Sequence, residues 1–78
     1  MPSSSAAYTI LAEALGNRLR EAREATGWTQ AELAERIGVS RKTVNTVENG
    51  VFVPSTVVAL KLAGALGCPV EELFFLVD

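Results

Sequence analysis

The segment Thr29–Gly50, TQAELAERIGVSRKTVNTVENG, decides how this 78-residue chain is read. Thr29 is followed three residues later by Glu32. In that spacing the hydroxyl caps the first helical turn and the carboxylate reaches back to the cap's own N–H. Trp28, just before the cap, is placed to pack on Leu33 as a hydrophobic staple. Leu33, Ala34 and Ile37 fall at helical spacing on one face and leave Glu35 and Arg36 outside. Gly38 closes the helix, since glycine accepts the positive φ with which helices commonly end. The predicted helix is about two turns long.

Val39 is a single apolar residue in the turn, and Ser40 supplies the next cap, so a second helix follows almost at once. Set at about 100° per residue, Arg41, Asn45, Asn49, Lys42 and Thr46 share one arc of roughly 140°, with Val44 and Val47 on the far side. Amphipathic surface helices usually mix carboxylates with lysines. This outer arc holds two cations, two amides and a hydroxyl, and no acid. Such groups match base edges and phosphates: arginine or lysine meets guanine O6 and N7, and asparagine meets adenine N6 and N7.

Gln30, Leu33, Ala34, Ile37, Gly38, Val39, Ser40, Val44, Val47, Glu48, Asn49 and Gly50 stand where the Cro/cI-type helix-turn-helix regulators, the XRE-like family, carry their signature. The resemblance extends from about Asn17 to Phe74. It implies an all-α fold, a compact five-helix bundle of the lambda-repressor-like type. It also implies DNA base contacts from Arg41, Lys42, Asn45 and Thr46, and phosphate contacts from Gln30, Ser40, Thr43 and Asn49. The implied partner is a palindromic or nearly palindromic duplex operator, bound by a homodimer with helix 41–49 in the major groove. Relatives commonly have lysine or arginine at the place of Val51, so this chain lacks one expected cation.

Charge and composition limit the alternatives. The net charge of −2 argues at first against a nucleic-acid partner. Its distribution argues the other way: of seven basic residues, six (Arg18, Arg20, Arg23, Arg36, Arg41 and Lys42) lie between positions 18 and 42, while Glu71, Glu72 and Asp78 load the end. There is no histidine, and the one cysteine, Cys68, suits a small buried hydrophobe. No metal or cofactor is expected. No nucleophile, base and orienting group converge, so an enzyme is not expected. Apolar runs are too short for a membrane span and no signal peptide is evident, which predicts a soluble cytoplasmic protein.

Outside the central segment, Met1–Ser5 reads as a flexible tail and residues 6–78 as one domain. Tyr8, Leu11, Leu15, Leu19 and Ala22 form one apolar stripe, read as an amino-terminal extension of helix 1 that covers the domain's own core or packs across a dimer. Arg23 falls on the apolar face of that helix and Glu48 borders the buried arc of the recognition helix. Two charges on inward faces are costly unless they pair, and the family resemblance implies the same link, so Arg23 and Glu48 are read as a structural ion pair. Ser55 caps a fourth helix that stops at Gly67, and its apolarity nearly all round marks a central or interfacial element. Pro69 opens a last helix, Val70 to about Val77, with Glu71 and Glu72 at its positive end. The surplus apolar residues Val51, Phe52, Val53, Phe74 and Phe75 are candidates for a dimer interface. Two further functional readings stay open. Residues 53–74 also look like the DNA-binding head of a longer, effector-sensing regulator. Alternatively, the chain is a protein-interaction module such as an antitoxin.

Overall fold

The computed structural model describes residues 14–77. In chain order these form β1 (Ala14–Asn17), α1 (Leu19–Thr26), α2 (Gln30–Ile37), α3 (Arg41–Glu48), α4 (Thr56–Leu66), α5 (Val70–Leu73) and β2 (Phe74–Val77). The two-helix segment forms as its signals require. Thr29 and Glu32 make the reciprocal capping box, and Gly38 closes α2 at φ 74°. The Ser40 hydroxyl accepts from the Thr43 N–H at 3.1 Å to cap α3. Removing either hydroxyl, as Thr29→Ala or Ser40→Ala, is expected to lower stability by about 1 kcal/mol. Thermal unfolding monitored by circular dichroism would detect it.

The core sits between the helices: Leu19 of α1, Leu33, Ala34 and Ile37 of α2, Val44 and Val47 of α3, Leu62 and Ala63 of α4, Leu73 and Phe74. Trp28 packs against this cluster, as the staple predicts, and the Arg36 guanidinium stacks over its ring at 4.0 Å. The inward stripe of α3 is only two valines wide. The β-branched pair therefore seats the helix while its polar arc stays outside.

The two ends of the described chain depart from the all-helical expectation. Residues 14–17 do not extend helix 1; they form a strand paired antiparallel with β2, Ala14 opposite Val77 and Asn17 opposite Phe74. The rest of the expected extension, and the tail 1–5, lie outside the described residues. The last helix is one turn, Val70–Leu73, and residues 74–77 are extended rather than helical. In a strand adjacent side chains point to opposite faces, so Phe74 turns into the core at 9% exposure while Phe75 stays outside. Phe74 is thus core, not a dimer contact. Gly16 lies directly opposite Phe75. A Cβ at residue 16 would overlap the Phe75 ring and stand 2.8 Å from Val77 Cγ2, so any larger residue here must push those exposed side chains aside.

Candidate nucleic-acid interface

The outer face of α3 is positioned from beneath and from one end. Beneath lie Val44 and Val47, each about 1% exposed. At the carboxyl end, the Asn17 amide donates to the Val47 carbonyl at 2.9 Å. The same side chain accepts from the Leu19 N–H at 3.0 Å, so one asparagine joins the ribbon, α1 and the last turn of α3. Asn17 has no place in the sequence-based set. Its signal is only that of a polar residue just before a helix.

Glu48 anchors the helix to α1 and α2. Arg23 Nε donates to Oε2 at 2.6 Å and Arg23 Nη2 to Oε1 at 3.3 Å. Gln30 Nε2 donates to Oε1 at 3.0 Å, and Arg20 Nε reaches the same oxygen at 3.5 Å. The Glu48 side chain is 0% exposed and that of Arg23 12%. Burial pushes the Glu48 carboxyl up, but the hydrogen bonds from Arg23 and Gln30 and the arginine charge outweigh it and hold it below the ordinary carboxylate range. The hydrogen bond with Glu48 raises Arg23 in turn. Arg23 Nη1 also donates to the Trp28 carbonyl at 2.8 Å, tying the network to the entrance of α2.

The site residues fall into three groups. Arg41 and Lys42 are exposed, and among the described residues neither side chain has an ion-pair or hydrogen-bond partner. Ser40, Thr43 and Thr46 engage their own helix. Ser40 and Thr43 share a hydrogen bond at 2.9 Å, and the Thr46 hydroxyl lies 2.9 Å from the Lys42 carbonyl oxygen. Gln30, Asn45 and Asn49 are partly committed. Asn45 Nδ2 donates to Gln30 Oε1 at 3.4 Å, and Asn49 accepts from Arg20 Nη2 at 2.9 Å while donating to the Asn45 carbonyl. Gln30 is therefore bound to both Glu48 and Asn45. Arg20 is the neighbour that sequence reasoning missed. It lies three residues before Arg23 on α1, and helical spacing brings the two to one side.

The arrangement is a capped helix pair whose second helix presents cations and amides outward on a fixed seat. That is the geometry of a protein that reads a DNA groove. A family model described as helix-turn-helix matches residues 19–73, and the chain belongs to this family, the DNA-binding transcriptional regulators of Cro/cI-like, XRE type. Among its relatives, the HTH-type transcriptional regulator YgzD of Bacillus subtilis is 40% identical over 60 residues, covering 77% of this chain and 91% of its own. One from Methanothermobacter thermautotrophicus is 46% identical over 59 residues, covering 74% and 86%. A solved structure, the restriction-modification controller protein C.AhdI from Aeromonas hydrophila, is similar at 45% identity and a TM-score of 0.67, over 70% of this chain and 83% of that one.

Among the described residues no cluster of three His, Cys, Asp or Glu side chains is placed to hold a metal. No described helix is long and apolar enough to cross a membrane.

Proposed function

We propose that this chain is a sequence-specific repressor or autoregulator that binds a two-fold symmetric duplex operator as a homodimer in the cytoplasm. The observation that carries the reading is the outward arc of α3, where Arg41 and Lys42 are exposed while Glu48, the one acid of that helix, is covered. Each α3 enters one major groove, with half-sites about 34 Å apart along the duplex. Arg41, Lys42 and Asn45 face base edges. Ser40, Thr43, Asn49 and the free amide hydrogen of Gln30 lie toward phosphates, where the amino termini of α2 and α3 add backbone donors.

For the dimer, exposed apolar groups supply the contact. Val57 and Leu60 lie one turn apart on α4 and are 61% and 55% exposed, and Val53 in the preceding loop is 65% exposed. Phe52 and Phe75 are also exposed, whereas Phe74 is not available.

Selection of bound sequences from a random duplex pool tests this reading. Enrichment of an inverted repeat with half-sites about one turn apart is expected. Affinity for the enriched site should fall steeply with salt, because cations that neutralise phosphates release counterions. An unenriched pool, or binding insensitive to salt, would leave a protein partner as the better reading.

A further inference from the structure

After Gly50 the chain folds back on the recognition helix. The Val51 and Phe52 N–H groups both donate to the Thr46 carbonyl, at 2.9 and 3.2 Å. This brings Val51 and Phe52 beside Lys42, Thr43 and Thr46 around an open slot of about 280 Å³ at one edge of the outward arc. The residues around it include one cation and no acid, so the slot complements an anionic strand.

Two details give this edge a chemistry different from the rest of the arc. Val51 is 77% exposed. The Thr46 hydroxyl lies 2.9 Å from the Lys42 carbonyl and 3.1 Å from that of Thr43. A hydroxyl has one proton to give, and here the helix takes it. Thr46 therefore has no donor left for a base edge, and its distinctive remaining group is a methyl. Beside it stands the valine. In the major groove the apolar group that base edges offer is the C5-methyl of thymine; a methylated cytosine carries the same group.

We infer that Thr46 and Val51 form a contact for the C5-methyl of a pyrimidine, so that this edge determines specificity by apolar contact rather than by a donated hydrogen bond. The inference rests on the DNA-binding reading proposed above. It replaces a hydroxyl contact by Thr46 and gives the exposed Val51 side chain a role in the groove.

The test uses the duplex enriched by selection. Each thymine is replaced in turn by deoxyuridine, which deletes only the methyl, and each cytosine by 5-methylcytosine. At one pyrimidine position in each half-site, loss of the methyl should weaken binding by about fourfold, the worth of one methyl group returned to water. An effect confined to deoxyuridine identifies thymine as the source; a gain confined to 5-methylcytosine identifies the modified base. Thr46→Ser with Val51→Ala keeps the hydroxyl and deletes the γ-methyl groups of both side chains, and in that variant the difference at this position should vanish. A selected site that binds normally but shows no methyl effect in the wild type, or the same effect in the variant, overturns the contact and leaves DNA binding intact. No enriched site at all overturns the DNA reading and the contact together.

Discussion

Arg23→Met is expected to lower stability by about 3–5 kcal/mol, because it leaves the covered Glu48 carboxylate without its main counter-charge. Gln30 and Arg20 would remain as hydrogen-bond donors to that carboxylate. Denaturant unfolding of the wild type, Arg23→Met, Glu48→Leu and the double variant would measure the coupling between the two side chains. The double variant should be more stable than the sum of the single losses predicts, since an apolar pair removes both desolvated charges. Additive losses would show that the two residues act independently.

The pH dependence of the same series has a definite sign. In the wild type the Glu48 carboxyl lies below its ordinary value. Its contribution to stability is therefore present above the unfolded-state pKa and is lost as pH falls through the folded-state pKa. Without Arg23, burial, already the largest single influence on this carboxyl, is opposed only by the hydrogen bonds from Gln30 and Arg20, and the folded carboxyl should rise above the ordinary range. The linkage then reverses: stability is recovered as the pH is lowered into the carboxylate range and lost as it rises. Glu48→Gln should show neither limb. Parallel profiles for wild type and Arg23→Met would show that the guanidinium does not set the carboxyl's state.

The second large effect concerns Arg41. Arg41→Ala should cost about 1–3 kcal/mol on the selected operator and much less on unrelated duplex DNA. The reason is geometric: Arg41 lies in the first turn of α3, with no ion-pair partner among the described residues, so its guanidinium is free to meet a guanine edge. Lys42→Ala at the slot serves as a comparison. Facing base edges, Lys42 should likewise matter more on the operator than on random duplex; a uniform loss on all duplexes, with the salt slope reduced by about one, would place it on phosphate instead. Titration of both variants against operator and random duplex at several salt concentrations separates the two roles. Equal losses for Arg41→Ala on both duplexes would mean that it does not read bases.

The helix pair was legible because its instructions are local. Thr29 and Glu32 are one turn apart, Gly38 meets its own backbone requirement, and Ser40 caps the helix it precedes. The outward arc of α3 was equally readable, since the spacing of Val44 and Val47 orients every other residue on a helix of eight. The pairing of Arg23 with Glu48 could be inferred because two charges on inward faces need each other. Its extension to Arg20 and Gln30, and the separate tie from Asn17 to the Val47 carbonyl, could not. Those contacts depend on how α1 and α2 approach α3, and no short spacing records that approach.

The chain ends show the boundary most plainly. FFLV and ALGN have no periodicity long enough to separate strand from helix, and a short apolar run reads either way. A strand is satisfied only by a second strand, here one that lies near the opposite end of the chain. Sequence by itself determined the capped helix pair, its buried valines and the acid-free arc, because helical hydrogen bonds and caps close within a few residues. Tertiary structure alone decided that residues 14–17 and 74–77 pair, that Phe74 turns inward and Phe75 outward, and that Val51 comes to rest beside Thr46, because each of these is a relation between segments and not a property of either.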